Sequence, residues 1–391
     1  MAENIVITGL GVCTATARNA QELWAQVTTP HPPPRSGVVP PLPMGEGRHE
    51  GRRELTELIC EKDGKFAKFS TSPMLSSETA TLEALTDAGF WEGQGVTGLD
   101  LERFGSTVSA SKPLWIDGQV VAPDIINEQI CRRFGIQGEN RNVIAACATG
   151  AYAVALGASW IEQGLCDVVL AGSVEPAAHE LIEAGFRRMG VMSHEDTMRP
   201  FDRRRSGFVL SSGAGIVVLE SRTHAERRGA RVRARLSGWG WGADAHSAVA
   251  FNSNGDRIAD VIRQALRRAG LPPEAIRHVN AHGTATRLND WIETQALLTA
   301  FGKHADSLMI SATKSSTGHL LGAAGSVELV LTVQALEKQS IPPTAHLEEP
   351  DPECPLDYTP CTGREAAFDH AVSLSFGFGG PIGALIVSRG S

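Results

Sequence analysis

Runs of apolar residues long enough to cross a membrane are missing from this chain: none reaches the ~18–20 residues that a helical span needs. Nor is there a basic and apolar leader, because the chain passes from the acidic Glu3 straight into a short strand pattern at Ile5–Thr8. Cysteine is sparse and scattered. Cys13, Cys60, Cys131, Cys147, Cys166, Cys354 and Cys361 form no CxxC pair. Their odd number argues against a disulfide framework and against a zinc site, so no metal is expected. Lysine is scarce, with 7 against 29 arginines, and the net charge of -8 excludes a general nucleic-acid binder. These absences lead to the expectation of a soluble, cytoplasmic protein with no membrane span and no nucleic-acid partner.

What remains is an ordinary globular composition, 42% hydrophobic and 20% charged, spread over 391 residues. That length exceeds what one core fills, which predicts two lobes or two packed halves. The 41 glycines follow no Gly-X-Y period, so a collagen-like chain is excluded. Short β-branched runs at 5–8, 143–146, 168–171 and 215–219 alternate with helical stretches at 77–88 and 148–163. Further on, strands at 233–236, 279–281, 308–312, 372–375 and 384–387 alternate with helices at 256–269, 290–301 and 323–338. Such alternation means an α/β fold with buried sheets. A charged stretch without apolar period, 221–231, divides two halves, 1–228 and 229–391. Gly9-Leu-Gly11 reads as a glycine turn, and the stretches 29–34 and 40–53, rich in Pro, Gly and Arg, read as a surface loop.

Four loops stand out. At the first, a strand passes directly into an uncharged, fully apolar helix, and Cys147 sits at the junction. A helix N-terminus there would favour the thiolate and offer free N–H groups to an oxyanion. A free cysteine is most often a small buried hydrophobe, so this position alone decides nothing. At the second, His282 stands at the carboxyl end of a strand and Gly283 follows at once, where ligands of α/β sheets collect. Asn289, Asp290 and Glu293 read as N-cap chemistry for the next helix. At the third, Lys314 and His319 precede a buried helix bearing Glu328, and mutual neutralisation of Lys314 and Glu328 is expected. The phosphate-loop order of glycines before Lys is absent. The fourth is Ser375-Phe-Gly-Phe378-Gly-Gly380, a flexible loop carrying an apolar plug, or else a β-bulge with two core aromatics. One nucleophile with two neutral imidazoles suits carbon–carbon bond chemistry through a thioester.

With these residues in hand, the chain resembles the β-ketoacyl-acyl carrier protein synthases of the thiolase superfamily, in their elongating branch. The likeness runs from Val6-Ile-Thr-Gly-Leu-Gly11 through Arg199-Pro-Phe-Asp202 and Gly207-Phe208 to the Phe-Gly-Phe-Gly-Gly loop. Cys147, His282 and His319 fall in the family's order, 135 and 37 residues apart. The resemblance implies the five-layered αβαβα thiolase fold, built from two similar α/β halves, and a homodimer. It implies Cys147 as the acyl-accepting nucleophile and His282 and His319 as the groups that bind the malonyl carbonyl and stabilise the enolate. Lys314 with Glu328 would support the second histidine. The amides of Cys147 and Phe378 would form the oxyanion hole, with Phe378 as gate, and Thr284 and Thr286 would touch the phosphopantetheine arm. Malonyl and acyl groups would arrive on acyl carrier protein, and no cofactor is implied.

The chain departs from the family pattern in places. Pro381-Ile382 replaces Thr-Asn after the gate loop, Ser212 replaces a glutamate, Ala148 replaces a hydroxyl residue, and Ser109–Leu114 is atypical. These point toward specialised polyketide, polyene or lipid synthesis as well as fatty-acid synthesis. The alternative expectation is a non-condensing subunit of the chain-length-factor type in a heterodimer, and a further one is an acyltransferase or thioesterase using the same nucleophile. Arg132, Arg133 and Arg203, Arg204 and Arg205 are candidates for docking an acidic carrier protein.

Overall fold

Most strands of this chain are apolar on both faces, which commits them to positions between helical layers. The computed structural model describes residues 4–29 and 73–390, apart from 94, 117–118, 177–179 and 250. The stretches 30–34 and 40–53 therefore lie outside the described residues, as does Cys60. The first part contains β1 (Ile5–Thr14), α1 (Ala20–Thr28), α2 (Pro73–Asp87), β2 (Phe104–Ala110), the hairpin β3 (Leu114–Ile116) and β4 (Gln119–Val121), and α3 (Ile125–Phe134). It continues with α4 (Thr149–Glu162), β5 (Val168–Glu175), α5 (Glu180–Arg188), β6 (Gly213–Ser221) and α6 (Arg222–Arg227). The second part begins with β7 (Ala234–Ala243), α7 (Asp256–Ala269), β8 (His278–Asn280), α8 (Arg287–Phe301), β9 (Met309–Ser311), α9 (Lys314–Thr317) and α10 (Ala324–Lys338). The ribbon of β10 (Ser340–Ile341) and β11 (Arg364–Glu365) follows, then β12 (His370–Phe376) and β13 (Pro381–Arg389).

Nine strands are hydrogen-bonded in the order β2-β5-β6-β1-β7-β13-β12-β8-β9. The two parts meet where Ile5, Val6 and Ile7 pair with Leu236, Arg235 and Ala234. Read outward from that seam, β1-β6-β5-β2 and β7-β13-β12-β8 share one pattern: two antiparallel pairings, then a parallel one. β9 extends the second series in parallel. Its counterpart in the first part is the segment 140–145, which covers most of the strand expected at 143–146 and is not one. A single parallel bridge, Ser106 to Asn140, ties it to β2. Beyond that, its N–H groups turn to side chains, Val143 to Ser109 Oγ at 2.9 Å and Ala145 to Thr149 Oγ1 at 3.0 Å. The charged divide at 221–231 is also not featureless: it holds α6, capped by the Ser221 side chain accepting from the His224 N–H at 3.2 Å.

Alternate residues of each strand enter different cores. Val217 and Leu219 of β6 and Leu385 and Val387 of β13 pack on a central layer that includes α4 and α10. Ile216 and Val218 pack outward with α2 and α3, and Ala384 and Ile386 pack outward with α7 and α8. Three helical layers and two sheet layers result, the five-layered αβαβα arrangement. Helix α10 is buried from Ala324 to Leu336, as a helix without an apolar stripe must be.

Gly9 and Gly11 make no turn. β1 continues through both, with a bulge in its pairing to β6 between Ile7 and Gly9, and α2 lies directly on them. A Cβ at Gly9 would sit 2.1 Å from the Ala84 carbonyl oxygen, and one at Gly11 1.8 Å from that of Ala80. Close backbone approach, not conformational freedom, explains the two glycines. Gly11→Ala is therefore expected to cost about 1–3 kcal/mol by overpacking. Gly185→Ala, on the exposed face of α5 with open space around it, should be neutral or stabilise by at most about 1 kcal/mol. Chemical denaturation of both variants checks the contrast.

Candidate active site

Cys147 lies in a tight 3-10 turn, Ala146–Ala148, that leads into α4. Ala146 adopts a left-handed φ of 45°, a strained state for a residue with a Cβ. Thr149 holds the turn: its Oγ1 accepts from the Ala145 N–H and donates to the Ala146 carbonyl at 2.8 Å. The loop after β12 presses against the same turn at Gly377, where a Cβ would come within 3.0 Å of the Cys147 nitrogen. That loop is closed by Gly377 N–H to Pro381 O at 2.9 Å and by Gly380 N–H to Gly377 O at 3.0 Å. Pro381 opens β13, a strand position where a missing N–H is tolerated, so the Pro381-Ile382 departure leaves the loop anchored. Phe378 is half-buried, and its ring begins an aromatic series. Phe186 lies 6.2 Å from Phe378 and 5.5 Å from Phe208, whose ring meets His319 edge-on at 5.1 Å.

His282 and His319 are brought together from separate loops, with ring centroids 5.6 Å apart and planes nearly perpendicular. The His282 loop is clamped by Glu293, whose carboxylate accepts from the His282 N–H at 2.7 Å and the Gly283 N–H at 2.9 Å. Glu293 is thus no N-cap, and α8 begins at Thr286 without a side-chain cap. Asp290 is no cap either. It is buried, accepts from the Phe201 N–H at 2.9 Å and faces Arg205 Nε at 3.6 Å. Gly283 must be glycine, since a Cβ would lie 2.6 Å from that of Ala312. Lys314 Nζ donates to Glu328 Oε1 at 2.5 Å and stands 3.3 Å from His282 Nδ1. The lysine therefore engages the first histidine of the pair, not the second as expected. His319 is held instead by its backbone, its N–H donating to Val209 O at 2.7 Å and its carbonyl accepting from the Ser211 N–H at 3.0 Å. Thr284 and Thr286 share a hydroxyl contact at 3.0 Å at the mouth of the same loop.

Burial sets the protonation states. It pushes both imidazoles well below their ordinary pKa of 6.5, and the Lys314 charge pushes the same way, so both rings are neutral. Burial also raises the Cys147 thiol to about 11, against the opposing pull of Lys314, Lys112 and its own backbone N–H. Desolvation is the largest influence on the thiol and exceeds the pull of both lysines. Burial lifts Glu293 to about 8, and the carboxyl of Glu328 to about 7.

One pair escaped the sequence reading. Lys112, in the atypical segment after β2, forms an ion pair with the buried Glu175 at the end of β5. No motif joins two positions so far apart in the chain. The arginine cluster is also not what its spacing suggested. Arg205 is buried against Asp290 and Asp351, Arg203 pairs with Glu349, and Arg204 pairs with Asp202 and Glu348. Arg132 and Arg133 stay exposed on α3, the first paired with Glu128. Among the described residues, no group of three or more His, Cys, Asp or Glu is arranged to hold a metal, and no helix is long and apolar enough to cross a membrane.

Comparison with known proteins agrees with this geometry. Residues 105–225 match the family model of the beta-ketoacyl synthase N-terminal domain, and 233–348 that of the C-terminal domain. The chain is 33% identical to 3-oxoacyl-[acyl-carrier-protein] synthase 2 of Coxiella burnetii, over 98% of both chains. It is 32% identical to the putative polyketide beta-ketoacyl synthase 1 of Streptomyces cyaneus, over 99% of this chain and 98% of that one. Among solved structures, the type II PKS complex AntDE:AntF, an acyl-carrier protein with its ketosynthase bound to the hexaketide, superposes with a TM-score of 0.83 at 25% identity, covering both chains fully. The ishigamide ketosynthase/chain length factor gives 0.82 at 28% identity, again over both full chains. With a thiolase fold, a cysteine on a strained turn before a buried helix and two neutral histidines facing one another, the chain belongs to the β-ketoacyl synthase family.

Proposed function

We propose that this protein is a 3-oxoacyl-(acyl carrier protein) synthase, which joins an acyl group to a two-carbon unit from malonyl carrier protein, in fatty-acid or specialised polyketide or lipid synthesis. The observation that carries this reading is the pair of buried, neutral imidazoles 5.6 Å apart. With Lys314 donating to Nδ1 of His282, the ring proton sits on Nε2, which is then a donor. His319 Nδ1 is buried without a hydrogen-bond partner among the described residues, a cost that a bound substrate can offset.

In the first half-reaction, Cys147 as thiolate attacks the carbonyl carbon of the donor thioester. The oxyanion is received by the backbone N–H groups of Cys147 and Phe378. The bond to the phosphopantetheine sulfur then breaks, and that thiol leaves with a proton. Malonyl carrier protein follows, its arm passing Thr284 and Thr286 and its thioester oxygen lying between His282 and His319. The bond to the carboxylate breaks, carbon dioxide leaves, and its electron pair forms an enolate that the two imidazole N–H groups stabilise. The enolate carbon attacks the acyl carbon on Cys147, and collapse expels the thiolate and releases the 3-oxoacyl thioester. Glu293 and the Lys314–Glu328 pair act as positioning residues for His282. An intact Cys147 speaks against a non-condensing, chain-length-factor role, and the second imidazole against a thioesterase.

The same reading assigns 1–228 as the half carrying the nucleophile and 229–391 as the half carrying the histidines, with two copies forming a homodimer in the cytoplasm. Six free cysteines among the described residues suit a reducing compartment. Light scattering should return twice the 41.6 kDa chain mass. A chain found only with a second, similar partner would favour the heteromeric form.

Intact-protein mass after mixing with acyl carrier proteins should show an acyl-sized gain that disappears in Cys147→Ala. His319→Ala should keep that gain and lose about 10²–10³-fold in carbon dioxide release from malonyl carrier protein. Loss of acylation itself in His319→Ala would contradict the division of labour. Since both imidazoles titrate well below 6.5, carbon dioxide release from malonyl carrier protein by enzyme already acylated on Cys147 should not decline as pH falls through that value. A rate midpoint near the ordinary imidazole pKa in a pH profile would contradict their neutral roles.

A further inference from the structure

Two buried lysine–glutamate pairs flank the candidate nucleophile, one from each half. Lys314–Glu328 belongs to the histidine half, and Lys112–Glu175 belongs to the cysteine half. Burying an ion pair is expensive, and well-packed apolar residues of similar volume usually serve stability as well or better. Stability is therefore a weak reason for a second pair at this place.

Its placement is specific. The free oxygen of the Glu175 carboxylate, Oε2, accepts from Ser111 Oγ at 2.7 Å and from the Gly322 N–H at 3.1 Å. Gly322 lies three residues beyond His319, and a Cβ there would be 2.4 Å from that of Ser111. The 3-10 turn Leu321–Ala323 in turn packs on the turn Ala146–Ala148 that carries Cys147. The pair thus sits at the seam of the halves, against both site turns. We propose that Lys112, held by Glu175, is a second cationic group of the active site that, together with Lys314, stabilises the Cys147 thiolate. The electrostatics run the same way: the Lys112 charge favours the thiolate of Cys147 and disfavours protonation of His319, while burial lowers Lys112 itself to about 8. The other charged groups acting on the thiol are Lys314 and Glu328, and the variants below leave both unchanged.

This inference rests on Cys147 being the reactive nucleophile, yet its test needs no acyl donor. The alkylation rate of Cys147 by iodoacetamide, followed on its own peptide by mass spectrometry, reports the thiolate fraction across about pH 6 to about pH 10. In Lys112→Met the reaction near neutral pH should be roughly tenfold slower, and the difference should close as pH rises past about 8, where Lys112 itself loses its charge. Lys112→Arg, which keeps the charge, should recover most of the rate. Glu175→Gln should slow the reaction near neutral pH too, because a buried ammonium without its carboxylate gives up its proton. A Lys112→Met profile that overlays the parent, with near-ultraviolet circular dichroism intact, overturns the proposal, and so does a Lys112→Arg variant as slow as Lys112→Met. Lys112→Gln serves in place of an apolar variant that does not fold, and an unshifted profile in it is equally decisive. Absence of acylation by every carrier protein would overturn the synthase reading instead, and leaves the alkylation profile as a separate result.

Discussion

The structure depends on how closely α4 and α10 cross in the central layer. At Gly150 a Cβ would lie 2.5 Å from the Ser326 nitrogen, and at Gly325 one would lie 2.6 Å from Ser375 Oγ and 3.0 Å from the Ala151 nitrogen. Only hydrogen at these positions lets the helices meet backbone to backbone. Each helix is entered through a 3-10 turn whose first residue, Ala146 or Leu321, has a φ of 45°. The two turns are therefore equivalent by the internal symmetry of the sheet, and the crossing sets them side by side. One carries Cys147 and the other follows His319, so the chemistry straddles the seam between halves that were duplicated in topology but not in side chains.

Burial then acts on every group in that seam with a sign fixed by its charged form. For the imidazoles of the proposed mechanism it is helpful, since a neutral ring still carries an N–H that can donate to an enolate. For the thiol it is adverse, because desolvation raises Cys147 to about 11. Cations oppose that desolvation, and Lys314 and Lys112 both supply one. Each brings a buried carboxylate with it, so the net charge of the site stays small while the local field at the thiol stays positive. Glu293 uses a different device. Its two backbone N–H donors hold the His282 loop without adding a charge close to the reacting atoms.

Much of this was legible in the sequence. The α/β alternation, the two halves and the wholly apolar helices follow from periodicity, which is a local property. Cys147, His282, Lys314, His319 and Glu328 were all visible, because each sits at a strand end or at the entrance or in the body of an apolar helix, within a loop of small residues. The local reading failed where a distant element supplied the explanation. Gly9 and Gly11 resemble a turn until α2 is laid over them, and 143–146 resembles a strand until the N–H groups of Val143 and Ala145 are traced to Ser109 and Thr149. Asp290 and Glu293 resemble caps until Phe201, His282 and Gly283 are seen to donate to them.

The sequence by itself determined the fold class, the family and the order of the candidate site residues along the chain, because these depend on spacing and side-chain type. Only the tertiary structure decided which partner each charge has. It assigned Lys314 to His282, removed Arg205 from the surface, and joined Lys112 to Glu175 across 63 residues of chain and Gly322 from the other half. The physical reason is that pairing and desolvation depend on distance and burial in space, and neither quantity has a period that a sequence can display.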